Sequence, residues 1–399
     1  MNKKALPLYV FSFIMIMPFH ALFPLLPLIR DEIGASYSQI SIFLASLGVV
    51  RLSLAVPSGF LADRYNKKIV LLFSGVLCLG GLLVMSSAHS FSLLIVSRVL
   101  IGFSSIVCNI TILALLAQLA GSGGRGTMMS MNNVVHNAGG IVSPALAGFL
   151  AKWYSWRVSF LAIAGLIVIS MAVIALFFNI QPNPDRHQGK TKAAGPGILP
   201  YKIVKSWGAR LAPVFALGFF VFFYRGYFRH TLLPFFGRDV FHIEVETLGM
   251  YFSLTAGIAI VSLMALGYLS DRLGRKAAVL PGIFFSAIAA LFLLLPPSAN
   301  PLLVCCIFVG LGAVINSMPN VLISDLVSPD VYGRVMGLNR MFADSGYFVG
   351  TIVAGMLLDR FGFKMPLYWI AGYAVVMVVV ISLSVSNRPA ADQPGLKLS

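Results

Sequence analysis

Apolar residues in this chain run on for about twenty positions at a time, again and again, and that rhythm leaves few folds open. A helix rising ~1.5 Å per residue needs about 20 residues to cross the hydrocarbon core of a bilayer, and only helices and closed barrels satisfy every backbone group there. Twelve such runs can be read, at 5–29, 39–62, 69–88, 91–119, 127–152, 156–178, 208–237, 246–270, 277–297, 301–326, 335–358 and 363–386. The fold class that follows is an all-α integral membrane protein of twelve transmembrane helices. With 58% of residues apolar and 11% charged, neither a water-soluble core nor a disordered chain fits. The first run follows Lys3-Lys4, carries Pro18, Pro24 and Pro27 and lacks a small-residue cleavage site, so it reads as a retained span and not a removed leader.

Basic residues near the spans are kept on the cytoplasmic side. With both termini inside and residues at the span ends counted with the loops they adjoin, the ends and even-numbered loops hold 18 of the 29 Lys and Arg residues, against six in the odd-numbered loops and five deep within spans. That bias accounts for most of the formal net charge of +16, so nucleic acid is not needed as a partner; the lipid bilayer is. Cys78, Cys108, Cys305 and Cys306 all fall inside spans, where they serve as small apolar residues, and neither a disulfide framework nor a metal site is expected.

The chain also says nearly the same thing twice. Gly59-Phe60-Leu61-Ala62-Asp63-Arg64 followed by Lys67-Lys68 returns as Gly267-Tyr268-Leu269-Ser270-Asp271-Arg272 followed by Arg275-Lys276. His20-Ala21-Leu22-Phe23-Pro24 returns as His230-Thr231-Leu232-Leu233-Pro234, Asn132-Asn133 as Asn339-Arg340, and Ala147-Gly148 as Ala354-Gly355. Two parallel copies of a membrane bundle are the build of many secondary transporters. The expected organisation is an N-terminal six-helix bundle over 1–180, a polar, basic cytoplasmic linker over 181–206, a second bundle over 207–387 and a cytoplasmic tail over 388–399.

The segment Gly59 to Lys68 and its copy Gly267 to Lys276 resemble the signature loop of the major facilitator superfamily, a glycine, then Asp-Arg, then a basic pair between two spans. Arg98 with Gly102 in span four, and Gly139, Ser143-Pro144 and Ala147-Gly148 in span five, resemble further marks of its twelve-span drug–proton exporter branch. The span-five set departs from the pattern, with Ser143 and Ala147 where glycines are usual. The resemblance implies two pseudo-symmetric six-helix bundles, alternating access, a multi-pass monomer in a bacterial inner membrane and no cofactor. It also implies that Asp63, Arg64, Lys67, Lys68, Asp271, Arg272 and Arg275 act as a cytoplasmic gate. Asp325, at the end of span ten, is the expected partner of Arg272.

Ionisable groups deep in a bilayer are costly, at about 2.5–3.5 kcal/mol each or more, and so point to working sites. Five arginines lie deep, Arg51, Arg98, Arg225, Arg229 and Arg340, against one carboxylate, Asp344. Counted along spans two and eleven, Arg51 and Asp344 reach similar depth, so a pair across the halves is expected, with Arg340 one turn from Asp344 as competitor. A static Arg340–Asp344 pair is the alternative. Arg225 and Arg229 share a helical face with Tyr224 and His230 nearby, a pattern suited to an anionic group. Asn133, His136 and Asn137 in span five, and Asn316 and Asn320 in span ten, are expected to line the same cavity, or else to glue helices together. Proton coupling falls to Asp344 first, with His20, His136 and His230 as other titratable groups.

The expected function is proton-coupled efflux of an amphipathic or anionic small molecule, such as a drug, metabolite or siderophore. The alternative is an anion exchanger or an importer of an organic anion. An enzyme is not expected, since neither a phosphate-cradling glycine loop nor a His-Glu-x-x-His metal motif is present.

Overall fold

The structure, a computed structural model, describes residues 5–120, 124–178, 201–296, 300–327 and 329–384. Its helices are α1 (Leu6–Ile33), α2 (Tyr37–Arg64), α3 (Lys67–Ser86), α4 (Phe91–Leu119), α5 (Arg125–Trp153) and α6 (Trp156–Phe177). The second series begins with α7, α-helical over Tyr201–Tyr224 and then largely π-helical over Arg225–Leu232 and Phe236–Val240. It continues with α8 (Val245–Leu273), α9 (Lys276–Phe292), α10 (Pro301–Leu311, then Met318–Leu326), α11 (Pro329–Phe361) and α12 (Lys364–Ser384). Over their described residues, nine of these twelve are long and apolar enough to cross a membrane, and Val279–Phe292 is a shorter apolar helix. The residues expected as linker lie mostly outside those described, but 201–206 are helical and belong to α7.

Local chemistry sets the helix ends. Gly34 closes α1 at φ 69°, a left-handed turn that a side chain would strain. Two residues on, Ser36 and Gln39 form a reciprocal capping box that starts α2. Ser90 and Ser155 cap α4 and α6 through their hydroxyls, and the Lys68 ammonium donates to the carbonyl of Ala175 in the last turn of α6. α10 breaks into a 3-10 turn over Gly312–Asn316, where the Asn316 amide donates to the Ala313 carbonyl.

The helices pack as two sets with matching contacts. In the first, α1 packs on α5 and α6, α2 on α4, and α3 on α4 and α6. In the second, α7 packs on α11, α8 on α10, and α9 on α10 and α12. The sets meet along α5–α8 and α2–α11. Without a hydrophobic drive between helices in lipid, close backbone approach at small residues has to hold them together. Gly346 and Gly350 on α11 do this against α7: a Cβ on them would overlap the carbonyl oxygens of Phe219 and Phe223. Between the sets, a Cβ on Gly148 would sit 2.6 Å from the Val245 carbonyl oxygen, and one on Gly249 would overlap that of Pro144. Gly139 lies as tightly against Phe13 and Ile16 of α1. The exporter-like residues Gly139, Pro144 and Gly148 thus act as packing surfaces, two of them at the seam between the sets.

Candidate functional site

A polar cavity of about 440 Å³ lies between α1, α2, α4, α5 and α11. Its polar lining is Ser12, Arg51, Ser105, Asn109, Asn132, His136, Arg340 and Asp344. Asp344 is 5% exposed and is gripped from two sides. Arg340, one turn earlier on α11, donates from Nε at 3.0 Å, while Arg51 of α2 reaches it from the other helix set at 3.9 Å. The cross-set contact expected from depth is therefore present as a long ion pair, and the within-helix contact is the hydrogen bond. Phe222 brings Arg225 into the same group, with the Arg225 and Arg340 guanidiniums 5.8 and 5.4 Å from its ring centroid.

Arg98 is 2% exposed, yet its Nε and Nη2 have no hydrogen-bond partner among the described residues. It is held between the rings of Phe19 and Phe43, at 5.5 and 5.4 Å. A buried guanidinium with unspent donors is a costly arrangement unless something periodically fills it. Arg229 is half-buried, does not line the polar cavity and has no ion pair with a described carboxylate.

Several expected residues sit elsewhere. Asn133 and Asn137 are exposed and do not line this cavity, whereas Asn132 does, 5% exposed and with its Oδ1 unpartnered. At about 100° per residue, His136 lies between residues 132 and 133 around the helix, and the cavity is on the 132 side, so residues 133 and 137 turn away from it. Asn316 spends its amide on the break in α10, and exposed Asn320 accepts from Asn339. The Tyr224 hydroxyl donates to Ser286 of α9, away from the cavity. Asp325 is held by Arg275, at 2.7 and 3.1 Å, and not by Arg272, whose guanidinium lies over Tyr268 on its own helix. The reason is position, because Arg275 precedes α9 and is buried while Arg272 ends α8 at the exposed surface. The side chains of Asp63 and Asp271 lie outside the described residues, and Arg64 is exposed.

Next to the cavity stands an aromatic septum. His230 stacks on Phe23 at 3.9 Å and shares a hydrogen bond of 3.1 Å with the Tyr347 hydroxyl; Phe19 and His20 pack edge-on around them. The π-helical stretch of α7 places His230 there. Its Thr231 hydroxyl bonds the Gly226 carbonyl five residues back, and a Cβ on Gly226 would meet Tyr347 and Thr351 at 2.6 Å. Such widened turns recur at functional sites.

Past the septum, toward the Ile33 end of α1, the sets are tied by a network that sequence reasoning missed. Arg30 donates to Asp239 at 2.5 and 3.3 Å, and the Tyr37 hydroxyl donates to the same carboxylate at 2.7 Å. The first amides of α2, Tyr37 and Ser38, donate to Asp359 of α11 at 3.1 and 2.9 Å, a carboxylate on a helix N-terminus. Lys152 pairs with Glu246 at 2.5 Å and Glu244 at 3.1 Å, and the Ala145 amide donates to the Ser253 hydroxyl. The available signal was the gathering of Asp31, Glu32, Asp239, Glu244, Glu246 and Asp359, six of the 13 acids, in the odd-numbered loops and at the span ends beside them.

The profile described as Major Facilitator Superfamily matches residues 8–299 and 231–398. The quinolone resistance protein NorA of Staphylococcus aureus is 23% identical over 97% of this chain and 98% of its own. A hexuronate transporter of Bacillus subtilis is 23% identical over 98% of each. Among solved structures, the nucleoside transporter NupG superposes with a TM-score of 0.80 over 96% of this chain and 99% of that one, at 16% identity. A bacterial homologue of the human lysosomal transporter Spinster, inward-facing and unoccupied, superposes at 0.75 with 16% identity over 96% and 95%.

Proposed function

The chain belongs to the major facilitator superfamily, a transporter and not an enzyme, and within that family we propose a proton-coupled exporter that moves an anionic or amphipathic small molecule by alternating access. The observation that carries this reading is Asp344, one buried carboxylate shared between Arg340 of its own helix and Arg51 of the other set. A substrate anion takes Arg51 on the outward leg, and after its release a proton on Asp344 removes the charge that draws Arg51 across the seam, so that the emptied carrier returns and the proton leaves to the cytoplasm. The pair is made on one side of the cycle and broken on the other. This is what links proton binding to movement of α2 past α11.

The face crowded with basic residues is the cytoplasmic one in this reading, and both termini lie there. The ion network at Arg30, Tyr37, Lys152 and their carboxylates then closes the outer mouth. On this reading the cavity opens to the cytoplasm on the side of the exposed Arg340 side chain. The efflux direction draws support from the quinolone-resistance relative. The excess of guanidiniums and the hexuronate-transporting relative support the second reading, an importer or exchanger of an organic anion.

The test is uptake into proteoliposomes holding candidate anions and cations, under an imposed pH gradient. Proton coupling predicts accumulation that follows the gradient and collapses when a proton ionophore is added. Transport indifferent to pH but dependent on a counter-anion would establish the exchanger instead.

A further inference from the structure

Resting on the transport reading above, we infer that the central cavity takes a small organic monoanion bearing hydroxyl or amine donors, and not a bulky amphipathic cation. The charge inventory comes first. Arg51, Arg340 and Asp344 face the cavity together, so its lining carries one positive charge more than it carries negative. A cation entering would meet two guanidiniums with one carboxylate already committed to them. A monoanion neutralises the excess.

Donor geometry narrows the class further. Each guanidinium has five N–H groups; Arg340 spends its Nε on Asp344, and Arg51, which lies over the Phe19 ring, makes no hydrogen bond among the described residues beyond its 3.9 Å ion pair. The remaining donors suit a planar carboxylate, which two parallel N–H groups can hold at once. Across the cavity, the buried Asn132 Oδ1 has no donor among the described residues. An acceptor buried without a partner costs about 1–3 kcal/mol, and the cavity beside it is where a partner can enter. Asn109 of α4 lines the same cavity, and the Ser12 hydroxyl stands 3.4 Å from the His136 Nδ1. A ligand that ends in a carboxylate at Arg51 and presents an O–H or N–H to Asn132 satisfies both ends.

Size and wall chemistry agree. At ~30 Å³ for each water-sized group, 440 Å³ holds about 15 of them, ample for a small acid with a few waters. Two other hollows are of different character. One of about 680 Å³ is walled by Phe219, Phe223, Tyr227, Trp369 and Tyr373, and the hydroxyls of Tyr227 and Tyr373 are turned to backbone carbonyls. Its wall is mostly aromatic face, with no charged group in it. The other, of about 710 Å³, lies along α8 against Phe285 and Leu311. Apolar molecules have those surfaces; the charged centre is for something that water holds well.

The purified full-length protein in detergent tests this by thermal shift and equilibrium dialysis, with threonate, gluconate, butyrate, hexanoate, glucose and tetraphenylphosphonium as probes. Threonate or gluconate is expected to raise the melting temperature and to bind at least about tenfold tighter than the matching unsubstituted acid, the equivalent of one good hydrogen bond. Arg51→Gln should weaken all four acids alike. Asn132→Leu should erase the preference for hydroxylated acids while leaving butyrate and hexanoate unchanged, and Asn109→Leu serves as the second variant should Asn132→Leu not fold. Tetraphenylphosphonium or hexanoate binding as tightly as the hydroxy acids, no binding of either hydroxy acid, or a preference that survives both asparagine variants would overturn the class. Binding needs no gradient, so hydroxy-acid binding that persists without pH-driven uptake would refute the coupling and leave the class standing.

Discussion

Asp239→Asn isolates the ion network that the proposed topology places at the outer mouth. The carboxylate accepts two hydrogen bonds from Arg30 and one from Tyr37, joining α1 and α2 to the end of α7. The Arg30 and Asp239 side chains are 16% and 15% exposed, so solvent screening discounts the pair only modestly. The amide keeps the shape and one acceptor but loses the charge and offers an N–H to Arg30, which cannot accept it. Hydrogen bonds to charged groups are worth about 1.5–3 kcal/mol, and Arg30 retains Asp31 at 2.5 Å, which places the loss near ~2 kcal/mol. That is about a thirtyfold shift away from the outer-closed state. Spin labels at Ser87→Cys and Lys364→Cys, both exposed beside this face, report it by pulsed dipolar spectroscopy, since the four native cysteines are buried. The expected result is a second, longer distance that dominates in Asp239→Asn. An unchanged distribution would refute the claim that this network holds the outer mouth shut.

Three further outcomes follow from the geometry. Asp344→Asn should abolish pH-driven accumulation, and the exchange Arg51→Asp with Asp344→Arg should restore part of it; no rescue in the double variant would favour a static Arg340–Asp344 pair. Gly346→Val should cost about 3 kcal/mol or more by forcing α7 from α11, read as a lower melting temperature, whereas Gly267→Ala, inside α8 with no atom within 4 Å of the added carbon, should not lower it. Arg275→Ala should destabilise by about 2 kcal/mol because it strands Asp325, while Arg272→Ala should do little; equal effects in thermal melts would contradict the assignment of Asp325 to Arg275.

What sequence conveyed well was whatever depends on neighbours along the chain. Apolar runs became helices with ends displaced by a few residues, and Arg340 and Asp344, four apart, could be paired from helix periodicity alone. Arg51 was found by depth, because two helices crossing one slab share a ruler. The failures have a common cause. Tyr37 and Asp239 are 202 positions apart, and Tyr37 and Asp359 322 apart, so nothing local announces that they touch. Asn132 and Asn133 are one residue apart, about 100° of rotation on a helix, which is enough to put one amide in the cavity and the other outside it. The π-helical turns of α7 defeat periodicity altogether, since they change the period being counted. Arg272 and Arg275 differ by three residues that include the turn between helices, and the turn decides which of them faces inward.

The surplus guanidinium in the central cavity has an electrical meaning. On the proposed cycle the empty carrier sweeps that uncompensated charge through part of the membrane field as it reorients, and a bound monoanion neutralises the moving centre. A charge crossing the whole field exchanges about 2.3 kcal/mol per 100 mV. On that cycle an interior-negative cell draws the unloaded centre toward the cytoplasm and leaves the loaded one nearly indifferent, so that voltage, independently of pH, is expected to set how long the carrier waits on the inside for its cargo.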